Sequence, residues 1–489
     1  MRRVRHIVVL LGACAALAAC NDTRDLAPAE PDTPWPIPAS SLPTPAEVPP
    51  VSSEPEFAAS HRYSLPEVID IAERRNQATR IAWEQARQAA IGVGMAQAAY
   101  LPALTASAIG GYQHVALPFP SDLVSRGFIT ANTEEFLPTL AIRYLLFDFG
   151  RRDAAVQAAR QLSTAANVAF SSVHQKLIFD VATDYFLLDG ANATLRAAEQ
   201  ALRDAQQLQS ATEALQARGL DTIVTVDLAR RSTAQRRYDL AQARAVQHAA
   251  SYRLLSAMNL PPTTTLQIVD VSNRPLPQPS GVTMRHLLDE ALRQRPDLIA
   301  AVAKLRASDA GIAMARSAFQ PEVSVSGNVQ GNLGQVSVDG APYEGVVQPQ
   351  AGIFLRFDWP LYQGGLLQNR LHDAESKRAA AADAVAQARE QALRDVALAY
   401  DQLETGLQQY DAARALLTAA ETAYGSANDS YVHGVGTFTD AVSAEAALAA
   451  ARADVVQVHA KVLINATSLA LATGALNAGA AEGLLGGER

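Results

Sequence analysis

Reactive side chains are scarce in this sequence, and one cysteine sits in a pattern that specifies a reaction. Leu17-Ala18-Ala19-Cys20 is a lipobox: small residues lead up to a thiol that is acylated and becomes the first residue of the processed chain. Arg2, Arg3 and Arg5 supply the positive region ahead of it, and Ile7 to Ala19 the apolar region. That run is shorter than the roughly 18 residues a membrane-spanning helix needs, so residues 1–19 read as a cleaved lipoprotein signal peptide. Leu11-Gly12-Ala13-Cys14 is a rival tetrad, but only Ile7 to Ala13 would form its apolar region. With Cys20 lipidated, no cysteine remains in the mature chain for a disulfide or for thiol chemistry.

The other reactive groups form no catalytic set. There is no H-E-x-x-H, G-x-S-x-G or P-loop pattern, no paired Cys or His at metal-ligand spacing, and the nine histidines are scattered. No enzymatic activity, cofactor or bound metal is expected. Helical Asp and Glu recur with Arg and Lys at solvent-facing spacing. Asp227 and Asp440 each follow a glycine turn between two long helical runs. Net charge is −8, and loss of the three leader arginines leaves −11, with no basic stripe to attract nucleic acid.

Those glycine turns mark the elements that organise the chain. Gly364 to Thr473 reads as a very long helix, a turn at Gly434-Val435-Gly436-Thr437, and a helix running back. Leu393, Val396, Tyr400, Leu403, Leu407 and Tyr410, then Ala413, Leu417, Ala420 and Tyr424, recur in steps of three and four. That is the seam of a left-handed coiled coil. No proline interrupts residues 364–433, so the first arm extends for roughly 100 Å at about 1.5 Å per residue. Gly150 to Arg218, closed by Gly219-Leu220-Asp221-Thr222 and followed by a helix to about Met258, repeats the plan. Gly219 and Gly434 are 215 residues apart, and Tyr100-Leu101-Pro102 is echoed by Phe319-Gln320-Pro321 at an offset of 219. The chain is a tandem duplication.

The resulting boundaries are 20–57, the lipidated cysteine and a Pro-rich tether; 58–260, the first repeat; 261–282, a linker; 283–475, the second repeat; and 476–489, a flexible tail. A helix from Ser64 to Tyr100, with Ser64 and Glu67 as a capping box, opens the first repeat. Thr283 to Arg295 and Asp297 to Ala318, split by Pro296, open the second. Strands follow by their period-2 alternation, at about 103–112 and 138–148 in the first repeat and 322–331 and 349–359 in the second. Each has one apolar row and one polar row, with Arg143, Arg356 and Asp358 on the polar side. Tyr100, Tyr112 and Tyr144 suit either an interfacial girdle or a core. No later stretch reads as a transmembrane helix, which leaves a β-barrel as the route into a membrane. Four strands cannot close a barrel, whereas three chains would supply twelve.

Lipobox, tether, duplicated helix–strand–strand–hairpin units and the tips Arg218-Gly219-Leu220 and His433-Gly434-Val435 together resemble the TolC-type outer-membrane factors, in their lipoprotein branch that includes OprM. The resemblance covers about Ser64 to Ala475. Phe357-Asp358-Trp359-Pro360-Leu361-Tyr362-Gln363-Gly364-Gly365 is similar to the family's strand-to-helix motif; Tyr144 to Gly150 departs from it by lacking the proline. The fold so implied is mainly α with a β-barrel part: a trimeric 12-stranded outer-membrane barrel continued by a periplasmic α-helical coiled-coil barrel. The function so implied is a lipid-anchored export duct of a tripartite efflux system. Its partners would be two further copies, a periplasmic adaptor, an inner-membrane pump of the RND type and outer-membrane lipid. The resemblance further implies that Arg218, Gly219, Leu220, His433, Gly434 and Val435 meet the adaptor. Asp440, and less directly Asp227, would line the periplasmic aperture, where three like charges repel one another and attract cations. At the family's next acidic position stands Ser443. The alternatives are a protein-secretion duct, or a tethered periplasmic coiled-coil scaffold, which would have no use for the four strands.

Overall fold

The computed structural model describes residues 61–277, 283–477 and 479. Cys20, the signal peptide, the tether and the tail from residue 480 lie outside the described residues.

The two halves repeat element by element. The first holds α1 (Leu65–Arg75), α2 (Gln77–Gln97), β2 (Ala103–Pro118), β3 (Phe128–Phe147), α3 (Arg151–Ala217) and α4 (Ile223–Ala257). The second holds α5 (Met284–Gln294), α6 (Pro296–Ser317), β5 (Glu322–Val338), β6 (Glu344–Asp358), α7 (Leu366–Val432) and α8 (Phe438–Ala472). Short strands β1 (Arg62–Tyr63) and β4 (Gln267–Ile268) pair in parallel. Helices α3 and α7 both have 67 residues, and α4 and α8 both have 35. Both long helices start behind a left-handed glycine, Gly150 at φ +85° and Gly365 at φ +83°. One residue earlier, Phe149 takes φ +52° where the second half uses Gly364 at +59°. A non-glycine residue there costs about 1–2 kcal/mol, so the first junction is strained where it departs from the motif.

One helix boundary differs from expectation. The run from Ser64 to Tyr100 is broken at Asn76, whose side chain accepts from the Ala78 and Thr79 amides and caps α2. In the second half Arg295 and Pro296 make the same break, 219 residues on. Proline announces its break in the sequence, whereas a mid-run asparagine shows only once the repeats are aligned. The capping box itself forms, with the Ser64 amide donating to Glu67 at 2.7 Å.

Helix α3 is the spine. Helices α2 and α4 pack along one flank of it and α6 and α8 along the other, with α7 beyond α6 and α8. The heptad seam of α7 points at α8: Leu403 packs with Val462 and Ala466, and Ala420 with Leu448 and Ala451. Helix α8 is long and apolar enough to cross a membrane by composition, contrary to the sequence reading. Nearly half of its apolar window is buried inside the protein, on α3 and α7. Midway up, Leu65, Val68 and Ile69 of α1 join Val181, Tyr185, Phe186, Leu254 and Met258 in the largest core. The Tyr185 hydroxyl donates to the Val269 carbonyl at 2.9 Å and holds the linker against this core.

The four long strands form one antiparallel sheet in the order β2-β3-β5-β6. Register separates its faces. Leu104 lies opposite Ile142, Leu140 opposite Val329, and Val325 opposite Leu355. On the other face Arg143 lies opposite Ser326, Ser324 opposite Arg356, and Glu322 opposite Asp358. Tyr144 joins the apolar face, level with Val325. The strands are longer than their sequence signal: β3 starts at Phe128, and the hairpin loops shrink to residues 119–127 and 339–343. Beyond Phe136 and Leu333 the apolar row turns polar, with Tyr112, Glu134, Asn132 and Gln335 in line. Tilted strands need only about 9–11 residues to cross a bilayer, so the outer ends carry no apolar alternation to mark them.

These faces can be tested directly. Ile353→Arg, on the apolar face and 85% exposed, should cost about 2–4 kcal/mol of barrel stability, as an arginine does near a bilayer midplane. Gln350→Arg, on the polar face, should be close to neutral. The comparison is the fraction of each variant that resists heat-induced unfolding on gels after extraction from the membrane.

Candidate functional site at the hairpin tips

Both tips are built alike. A glycine at φ +74° follows each long helix, Gly219 after α3 and Gly434 after α7. The next amide then reaches back, Leu220 to the Leu215 carbonyl at 3.0 Å and Val435 to Ser430 at 2.9 Å. This is a Schellman ending, and it needs the left-handed residue. The returning helices are capped by Thr222 and Thr437, which accept from the Thr225 and Asp440 amides at 3.2 Å. Arg218, Leu220, His433 and Val435 are exposed. The His433 ring nitrogen meets the Asp429 carbonyl at 2.7 Å.

Neither candidate acid is a free carboxylate. Asp440 accepts from the hydroxyl of the Thr437 cap at 2.6 Å. Asp227 lies 3.4 Å from Arg230, which also holds Glu213 at 3.2 Å. Both aspartates remain exposed.

The tips meet through residues that sequence reasoning passed over. The Tyr431 hydroxyl bridges the Thr212 hydroxyl at 2.9 Å and the Asp221 carboxylate at 2.7 Å. Its ring stacks edge-on against Phe438, 5.6 Å between centroids, in a cluster with Leu208, Ala229 and Ala441. Tyr431 is two residues from its helix cap, and Thr212 is six from its own, so the second tip stops about 6 Å short of the first. A cavity of about 650 Å³ lies between the tips, lined by Leu215, Leu220, Asp221, Tyr431, His433 and Phe438 among others. Burial, and then the bond to Asp221, push the tyrosine up to about 12. Burial raises Asp221, but bonds from Thr225, Tyr431 and the Thr222 amide outweigh it and hold the carboxyl below its usual value. An aromatic residue just before a glycine turn in an alanine-rich helix was the available signal.

Comparison with known proteins settles the family. The family model of outer membrane efflux proteins matches residues 68–260 and 287–475, one stretch in each repeat. The chain belongs to the outer membrane efflux protein family. It is an outer-membrane export duct component, and its family is one of channels rather than enzymes. It is 28% identical to the cation efflux system protein CusC of Escherichia coli K12 over 355 residues, 71% of this chain and 74% of CusC. It is 28% identical to protein CyaE of Bordetella pertussis over 424 residues, 86% of each. Its fold matches the crystal structure of CusC with a TM-score of 0.71 at 24% identity, covering 84% of this chain and 92% of that one.

Removing the Tyr431 hydroxyl should loosen the tips and leave the rest intact. Tyr431→Phe is expected to cost about 0.5–1.5 kcal/mol locally, seen as faster hydrogen exchange at the Leu220 and Val435 amides. The pH response follows from the signs. The raised tyrosine contributes fully below pH 10 and is lost as pH rises through about 12. The depressed Asp221 contributes above its usual carboxylate value and is lost on acidification below it. Protection at the tips should therefore be flat between about pH 5 and 9.

Proposed function

We propose that three copies close into one duct through the outer membrane and periplasm, and that it passes small molecules delivered by an inner-membrane pump of the RND type and a periplasmic adaptor. The observation that carries this reading is the pair of sheet edges. β2 and β6 are 16 and 15 residues long, each pairs on one side only among the described residues, and the face they share is apolar. Strand edges are not tolerated in lipid. All four strands alternate in direction, so β6 of one copy can pair antiparallel with β2 of the next, and three copies give twelve strands.

The helical layer supports the same closure. Ile81, Trp83 and Met95 are exposed on α2, which continues into β2, and Tyr238 and Tyr252 are exposed on α4. Leu398 and Leu416 are exposed on α7, which continues from β6. One seam would then run the length of each protomer, and its head-to-tail pairing closes a ring. Cys20, once acylated, would anchor each copy in the same membrane.

Arg218, Gly219, Leu220, His433, Gly434 and Val435 form the adaptor-facing surface in this reading. Leu220 and Val435 are 71% and 82% exposed, which suits an apolar partner tip. The Tyr431–Asp221 tie would hold that end narrow. Cargo spans drugs, other toxic compounds and metal ions; the cation efflux named for CusC motivates the last. A scaffold without a pore would leave the apolar sheet face unexplained.

Light scattering of the detergent-solubilised protein, corrected for detergent, should give three times the chain mass. A monomer or dimer that stays soluble without detergent would remove the basis for a barrel. Asp440→Ala should weaken block of the open channel by divalent cations, because a ring of three carboxylates is lost. Unchanged block would take Asp440, and with it Asp227, out of the aperture.

A further inference from the structure

The polar face of the sheet changes character along its length. At the helical end Glu322 lies opposite Asp358, and each acid is engaged: Arg151 donates to Glu322 at 2.6 Å, and Arg356 stands 3.8 Å from Asp358. Two rows farther along comes Arg143, exposed, with no hydrogen-bond or ion-pair partner for its guanidinium among the described residues. Beyond it the face is uncharged through Ala141, Asn328 and Gly352, then Thr139, Gln330 and Gln350. The next charges on it are Glu135 and Glu344. About 27 Å of strand separates Arg143 from Glu135, so Arg143 is a cation with no counterion near it on this wall.

Its row holds one more unusual residue. Arg143 lies level with Ser326, and Ser326 with Phe354, so the three sit side by side across β3, β5 and β6. Phe354 is 60% exposed and is the one aromatic residue on the polar face of the four strands among the described residues. Its ring lies along the wall over Gly352, where a Cβ would stand 2.8 Å from it; a side chain at 352 would push the ring off. Adjacent strands are about 4.8 Å apart, so about 10 Å separates the Arg143 and Phe354 backbones, and an extended arginine side chain covers much of that span. A guanidinium grips a carboxylate or sulfonate through two parallel hydrogen bonds. A flat exposed ring takes a second ring by offset stacking, while its negative face gives nothing to an anion that lacks one.

We propose that Arg143, Ser326 and Phe354 form a binding subsite for aromatic organic anions, aryl carboxylates and sulfonates, on the inner wall of the barrel. The acid group sits on Arg143 with the Ser326 hydroxyl beside it, and the aryl ring stacks on Phe354. This rests on the duct reading above, which turns the polar face inward and repeats the row three times around the lumen. Fixed arginines lining a pore favour anions; the aromatic platform beside each one narrows that preference to anions that carry a ring.

The test uses the full lipidated protein in planar bilayers, with each probe added to the chamber facing the barrel. The probes are 2-naphthoate, its saturated analogue decahydro-2-naphthoate, and the uncharged 2-naphthamide. In wild type, half-block of the current by naphthoate should need about tenfold less probe than by naphthamide and about threefold less than by the saturated acid. Arg143→Gln should raise the naphthoate concentration about tenfold, and Phe354→Leu should bring the two acids level. Trimer assembly is checked on unheated gels. Wild type that does not rank naphthoate first overturns the subsite, as does an assembled Arg143→Gln blocked like wild type or an assembled Phe354→Leu that still separates the two acids. Should a variant fail to assemble, the wild-type ranking decides alone. A conducting protein that fails these tests loses the subsite and keeps the duct; protein that conducts in no form overturns the duct reading and the subsite with it.

Discussion

A strand in lipid must find a partner for every backbone N–H and C=O, and the four-stranded sheet cannot do this alone. Among the described residues β2 and β6 each leave one edge open over 16 and 15 residues beside an apolar face. The rest of the architecture is consistent with that requirement. β2 follows directly on α2 and β6 leads directly into α7, so the open edges and the outer helical flanks lie on the same two sides of the molecule. A single kind of contact between copies would satisfy the backbone in the membrane and cover the exposed aromatics below it.

Duplication supplies the frame, and divergence between the halves supplies the chemistry. The hairpin helices match residue for residue in length, and the left-handed starts and the Schellman endings recur in both halves. The polar contacts do not repeat. Tyr431 of the second half bonds Thr212 and Asp221 of the first, and Glu445 of the second half bonds Arg236 of the first. At the junction with the sheet the first half uses Arg151 and Arg152, paired with Glu322 and Asp148, while the second places Leu366 and buried Leu367 at the corresponding positions. Equivalent scaffolds with complementary side chains let one hairpin bind the other rather than merely resemble it.

Alanine is the composition on which this depends. Small side chains let helices about 100 Å long run close together with few knobs to lock them. Gly190 shows how close: a Cβ there would stand 3.0 Å from the Ala460 methyl. Such packing is continuous but laterally weak, so a few polar ties, placed where the two hairpins approach, carry much of the positional control.

Much was legible in the sequence because it is written in local periodicity. Steps of three and four gave the α7 seam, period-2 rows gave the four strands and their faces, and glycines with their following threonines gave both turns. What stayed hidden had no local mark. Asn76 starts a new helix in mid-run through its own side chain. The outer strand ends, such as residues 128–135 of β3, lie past the apolar band and so lose the alternation. The sequence thus determined the duplicated helix–strand–hairpin plan and its membrane-facing rows, since these follow from the period of each segment. Only the tertiary structure decided that Asp440 serves a helix cap and that Tyr431–Asp221 and Arg236–Glu445 join the hairpins. Those pairs are 210 and 209 residues apart, and contacts at that range are set by packing two hairpins side by side, which no local pattern encodes.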